Sequence, residues 1–188
     1  MNSKSHEIAR QIRQQFFVFR NGLLADNLRE KGDNHRMIFG LNLIQIIDIA
    51  KSFEKNAEVA TELWNSKDTR ECRLIAPMLY PADNFSIETA LQWIAETENK
   101  EIADNLCHKL LRNTPFASHL STSLVHGSTM QRYIALRLAL NLLIIGQTID
   151  NASLRILAQE EIKNNTTNLA IAKSVINELD ELEASINS

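Results

Sequence analysis

Lys100, Asp104 and His108 are the residues of this chain best spaced to do chemistry together. Placed four apart on a helix, they share one face. A carboxylate among basic groups can serve as an electrostatic group on an inner surface. It can equally be half of an exposed ion pair worth about 0.3 kcal/mol. The arginines form a second set. Arg70 and Arg73, with Lys67 nearby, open one helical stretch; Arg112 with Lys109, and Arg132, hold comparable edge positions further on. Aligned along one rim, they would track a nucleic-acid backbone, and binding would fall steeply with salt. Unaligned, they are ordinary solvated charge. Glu71, beside Arg70, reads as a structural ion-pair member.

Other chemistries find little support. The five histidines, His6, His35, His108, His119 and His126, show no HExxH-type spacing. His119 and His126 could share a face, but no carboxylate or cysteine completes a ligand set. There is no glycine-rich phosphate loop, nucleophile elbow or Cys-x-x-Cys pair, and neither a metal nor a cofactor is expected. Cys72 and Cys107 fall inside expected helices and read as buried thiols, which suits a reducing cytoplasmic setting.

Composition narrows the classes further. With 44% hydrophobic and 23% charged residues in 188, the chain can build a core. Its formal net charge is −3, whereas a dedicated nucleic-acid binder is often strongly basic. Any such binding must rest on a local patch. Five glycines and three prolines are too few for a many-hairpin β-sandwich. The N-terminus forms no signal-peptide core, because His6, Glu7, Arg10 and Arg13 precede the apolar Phe16 to Phe19 run. The most apolar stretch, residues 134–145, is far shorter than the roughly 20 residues of a membrane span. It reads as a helix buried on most sides.

The elements that must position these residues are helices throughout. Apolar residues recur at helical spacing and nowhere alternate for long. Helices are expected over residues 5–20, 23–31, 43–53, 57–65, 69–79, 100–112, 115–125, 128–146, 150–163 and 167–186, with a further one opening at the N-cap Ser86. Gly32 should cap the second. Pro77 should kink or shorten the fifth, since it lacks an amide donor. The polar loop 33–40, with His35, Arg36 and Phe39, is a candidate contact point. Trp64 and Trp93 sit in helical apolar patterns and read as core. Leu169, Ala172, Ile176, Leu179, Leu182 and Ile186 form a stripe that suits a capping helix or a partner seam.

Two segments echo each other. Glu58-Val59-Ala60-Thr61-Glu62-Leu63-Trp64 and Glu101-Ile102-Ala103-Asp104-Asn105-Leu106-Cys107 share one pattern at an offset of 43 residues. Helical pairs recurring every ~40–47 residues mark HEAT- or armadillo-like arrays, which stack to bury their apolar faces. The expected organisation is therefore one all-α domain over residues 1–188: N-terminal cap helices over 1–41, repeats over 42–146, and C-terminal cap helices over 147–188.

A set of ordered motifs sharpens this reading. Leu28-Arg29-Glu30-Lys31-Gly32, Phe39-Gly40, Leu63-Trp64, Arg70-Glu71-Cys72-Arg73-Leu74-Ile75-Ala76, Pro81, Trp93 and Glu101-Ile102-Ala103-Asp104 together resemble the HEAT-like-repeat DNA alkylation-repair family, the alkylpurine DNA glycosylase superfamily, as a divergent member. The likeness covers residues 21–143. It implies an αα superhelix whose basic concave face cradles duplex DNA. It further implies that active members remove cationic alkylated purines without the usual extrusion of the base.

The resemblance also implies a site: an aspartate, two tryptophans at the deoxyribose and an arginine near the backbone. The physical logic is that losing a cationic base leaves positive charge on the sugar, which a carboxylate stabilises. Asp104 matches the aspartate. Lys100 stands where an aromatic is expected four residues earlier, and no tryptophan follows Trp93. Arg132 matches the backbone arginine, with Arg137 as a rival. The resulting expectation is a DNA-binding protein using Arg70, Arg73, Lys100, Arg112 and Arg132, with Asp104 the one candidate catalytic carboxylate for N-glycosidic hydrolysis. The alternative is a non-catalytic protein-interaction scaffold using the same groove.

Overall fold

The structure, a computed structural model, describes residues 3–147 and 149–186. The ends of the two expected caps, residues 1–2 and 187–188, lie outside the described residues, as does residue 148. Eleven α-helices and two short 3-10 turns make up the described residues, with a lone bridge between Met37 and Thr69. The chain forms two compact units, Met1–Phe85 and Ser86–Ser188. The expectation of one domain drew no boundary there, because the connector at residues 80–86 is too short to look like a linker.

The first unit holds α1 (Ser3–Val18), α2 (Gly22–Glu30), α3 (Leu43–Lys51), α4 (Ala57–Trp64) and α5 (Arg70–Leu79). Ala9, Ile12 and Phe16 give α1 one buried stripe, and α1 packs on α4. Asparagines start three of these helices: Asn21, Asn42 and Asn56 each accept an amide N–H with the side chain. Pro77 does not shorten α5, which runs through it to Leu79. Near a helix end, the missing donor costs one bond in the last turn, while the buried Leu74, Ile75 and Leu79 still hold the helix to the core.

Only part of the loop before α3 is free: Asn34, Arg36 and Met37 stay exposed, while its other residues are held from within. Buried Glu71 accepts the backbone N–H of Phe39 (3.1 Å), Gly40 (3.1 Å) and Leu41 (3.4 Å). The His35 and Asp33 side chains are also buried, 2.5 Å apart. Gly40 has φ +78°, and a Cβ there would lie 2.1 Å from the Asn21 carbonyl oxygen. Only glycine fits so close an approach.

The second unit holds α6 (Ile87–Ala95), α7 (Lys100–Lys109), the 3-10 turn Leu111–Asn113, α8 (Ala117–Ser123), α9 (Thr129–Ile144), α10 (Asn151–Lys163) and α11 (Leu169–Ile186). Helix α9 is its centre and packs against α6, α7, α8, α10 and α11. That accounts for its near-continuous apolar sequence: Ile134, Ala135, Leu136, Leu138, Ala139 and Leu142 are all fully buried. A capping box of Ser128 and Gln131 starts it. Helix α11 packs on α9 and α10; of the expected stripe it buries Ala172 and Leu179, with Ile171 and Val175 beside them, and the Ile186 side chain lies outside the described residues.

The echoed segments are α4 and α7. Val59, Ala60, Leu63 and Trp64 are buried in one, and Ile102, Ala103, Leu106 and Cys107 in the other. The same pattern buries the same four positions in each unit. No helix among the described residues is long and apolar enough to cross a membrane.

Candidate nucleic-acid interface

In the second unit, α7 and α9 lie side by side. Asn99 fixes the start of α7 by accepting the Ile102 amide, which sets Lys100, Asp104 and His108 on successive turns. Ile102, Ala103, Leu106 and Cys107 occupy the opposite, buried side. Burial of the apolar face thus leaves the polar stripe at the surface. On α9, Tyr133 and Arg137 are one turn apart and meet that stripe.

Asp104 is the hub. Its Oδ1 accepts the Tyr133 hydroxyl at 2.6 Å and lies 2.6 Å from Arg137 Nε. That second contact is an ion pair without hydrogen-bond alignment, since Nε itself has no hydrogen-bond acceptor. Arg137 Nη2 donates to Asp104 Oδ2 at 3.3 Å and to the Tyr133 hydroxyl oxygen at 3.1 Å. The Asp104 side chain is 42% exposed and that of Arg137 is 29% exposed, so solvent limits the pair to about 1 kcal/mol of stability. Its effect is on geometry: it fixes the direction of a guanidinium at the surface.

Lys100 closes the group from the other end. Its ammonium sits 4.8 Å above the Tyr133 ring and donates to the Thr167 carbonyl, in the connection between α10 and α11. The Tyr133 ring also lies 5.8 Å from the Arg137 guanidinium carbon. An aromatic face attracts both cations. Burial and the acceptor Asp104 push the Tyr133 hydroxyl up to about 12, so it remains a neutral donor at physiological pH. Burial and the charges of Arg112, Lys109 and Arg137 hold the exposed His108 below its ordinary value.

The expected site residues therefore divide. Asp104 and Lys100 belong to one cluster; Arg112, half-buried on the 3-10 turn after α7, is not bonded to it. Arg132 turns to α10, where its Nε lies 2.7 Å from Glu161 Oε1, so its charge is compensated. Arg137, the rival in sequence, is the arginine paired with Asp104. Its spacing from Tyr133 was legible; the register of α9 against α7 was not.

Arg70 and Arg73 correct the sequence reading. Arg70 is 3% exposed, donating to the Leu41 carbonyl and pairing with Glu71 at 3.0 Å. Arg73 is fully buried, donates to the Trp64 carbonyl at 2.9 Å and lies 3.6 Å over the Trp64 ring. Both guanidinium groups are spent inside the first unit, out of reach of a phosphate. Trp64 and Trp93 are core residues. The arginines follow the helical pattern of α5, and only burial reveals that the helix has no solvent face.

No cluster of three metal-ligating side chains occurs among the described residues. The side chains gathered here offer a carboxylate, a phenol and cations. Asp104 meets the charge requirement for stabilising a cationic sugar, yet both of its oxygens are already engaged. Lys100 and Arg137 are the cations in contact with this group.

Comparisons with known proteins bear on the fold and the family. A solved structure described as belonging to "a new family of proteins related to the HEAT-like repeat DNA glycosylases with affinity for branched DNA structures" matches with a TM-score of 0.73 at 16% identity, over 90% of this chain and 74% of that one. At that identity the likeness establishes the fold: all-α HEAT-like helical repeats. No curated protein matches the sequence. A family model described as DNA alkylation repair enzyme matches residues 12–138. That match spans more than half of the sequence, and the chain belongs to the DNA alkylation repair enzyme family.

Proposed function

We propose that the protein binds DNA through its backbone, using Lys100, Arg112 and Arg137 of the second unit, and that Asp104 orients Arg137 instead of acting on a glycosidic bond. The observation that carries this reading is the engagement of both Asp104 oxygens by Arg137 and Tyr133. A carboxylate that stabilises a cationic sugar must face the sugar with its charge uncompensated. Here a guanidinium already compensates it. The lysine at position 100 points the same way, because a cation repels a cationic purine where an aromatic face would attract it.

Phosphate contacts of this kind position a protein without reading sequence. They also fit a chain of net charge −3, in which cations are effective only where they are grouped. The related structure's described affinity for branched DNA makes junctions a natural substrate class to include, as an analogy at the level of fold.

The test combines two assays. Wild type is titrated by fluorescence anisotropy into a labelled duplex and a labelled four-way junction at low salt. It is then incubated with methylated duplex, and released base is measured. The expected result is salt-sensitive binding without base release. Release that disappears in Asp104→Asn would make the protein a glycosylase. Failure to bind either DNA would remove the nucleic-acid reading and leave the protein-interaction scaffold.

A further inference from the structure

Tyr133 is 5% exposed and touches both cations of the cluster, each in a different way. Its hydroxyl donates to Asp104 Oδ1 at 2.6 Å and accepts from Arg137 Nη2 at 3.1 Å. Its ring lies 4.8 Å from the Lys100 ammonium. The Arg137 contacts depart from the usual arginine–carboxylate pair, in which two parallel N–H groups meet the two oxygens as a fork. Here Nε lies 2.6 Å from Oδ1 without hydrogen-bond alignment. Nη2 is shared between Oδ2 at 3.3 Å and the phenol oxygen. The other terminal nitrogen, Nη1, makes no hydrogen bond among the described residues and is not enclosed. The guanidinium is therefore tilted out of the fork, with one nitrogen left over for an outside anion.

We infer that Tyr133 is the positioning residue of this interface: its hydroxyl keeps Arg137 from closing onto Asp104, and its ring seats Lys100. This rests on the DNA-binding reading above and adds to it the one side chain on which both cations depend. The phenol O–H occupies Oδ1, and the phenol oxygen draws Nη2 away from Oδ2. Without the hydroxyl, Oδ1 can align with Nε and Oδ2 with Nη2, and the fork closes. Arg137 then keeps its charge but turns its donors toward Asp104, and its hold on a phosphate weakens. Lys100 answers to other parts of the site. The ring face and the Thr167 carbonyl keep it in place, and neither needs the hydroxyl. The hydroxyl and the ring thus serve different cations, and Tyr133→Phe separates them.

The experiment is a double-mutant cycle read by anisotropy on a labelled duplex across a salt series. Tyr133→Phe removes no charge, yet it should bind about fivefold to tenfold more weakly in low salt and lose up to about 0.9 of the slope of log affinity against log salt. Arg137→Gln should cost about tenfold in wild type and less than about twofold in the Tyr133→Phe background, because the two act as a unit. Lys100→Gln should cost the same in both backgrounds, since its seat is intact. A protein that had merely loosened would lose both contributions together. A second readout needs no DNA: by NMR, the Arg137 Nε–H proton should shift downfield in Tyr133→Phe as it enters the fork. Wild-type affinity and slope in Tyr133→Phe, equal coupling of Tyr133 to Lys100 and Arg137, or an unmoved Nε–H signal overturns the positioning role while leaving backbone binding intact. No binding by wild type at low salt overturns the DNA reading, and the role of Tyr133 with it.

Discussion

Replacing Asp104 with asparagine separates an orienting carboxylate from a catalytic one by the sign of its effect. The amide is nearly the same shape and keeps one acceptor: its oxygen, in the place of Oδ1, still takes the Tyr133 hydroxyl and stays beside Arg137 Nε, while the bond from Arg137 Nη2 to Oδ2 is lost. What disappears is one negative charge beside the proposed phosphate path. A phosphate on the outer side of Arg137 would lie about 6 Å from the Asp104 carboxylate, allowing for the guanidinium between them. At the dielectric of water, that repulsion is worth about 0.7 kcal/mol, or roughly threefold in affinity. Screening at physiological salt removes about half of it. Asp104→Asn should therefore bind duplex about twofold to threefold tighter than wild type in low salt, with the gain shrinking as salt rises. Anisotropy titrations across a salt series measure this directly. A variant that melts like wild type yet binds tenfold more weakly would refute the reasoning, since it would mean that Asp104 itself contacts the ligand.

The remaining expectations concern the scaffold. Glu71→Gln leaves part of a buried array without its acceptor and removes one of the two carboxylates paired with Arg70, Asp33 remaining at 3.5 Å; it should cost roughly 3 kcal/mol, read as a large drop in the chemical-denaturation midpoint. Gly40→Ala combines a positive φ with a Cβ 2.1 Å from the Asn21 carbonyl and should cost on the order of 3 kcal/mol; a Tm within a degree of wild type would contradict the packing described. Burial pushes the Cys72 thiol up to about 11 and raises Cys107 as well. Both should resist a thiol reagent at neutral pH until the protein unfolds. The unfolded chain loses these protons first, so stability should fall as pH rises from about 9 toward 11.

Much of the architecture was legible because helical arrays write themselves into local patterns. The echo between residues 58–64 and 101–107 marked the same buried positions in α4 and α7 before any packing was known. Ser86 announced a helix start through chemistry confined to three or four residues. What stayed hidden depends on neighbours distant in sequence. Arg70 and Arg73 look like surface cations until Glu71, Leu41 and Trp64 are seen to enclose them. The loop with His35 and Phe39 looks like an exposed edge until Glu71 is seen to bind its amides. Asp104 could be identified, but its partner could not, because the register of α9 against α7 decides between Arg132 and Arg137. Glu161 resolves that choice by holding Arg132 elsewhere.

The most direct test of the central claim is the slope of log affinity against log salt concentration for duplex DNA. It should be measured in wild type and in Arg112→Gln and Arg137→Gln, with folding checked by circular dichroism. Each backbone contact contributes about 0.9 to that slope. Wild type should show a steep dependence, and each variant should lose about one unit of it while retaining its fold. Slopes identical to wild type in both variants would mean that DNA, if bound, lies elsewhere on the molecule.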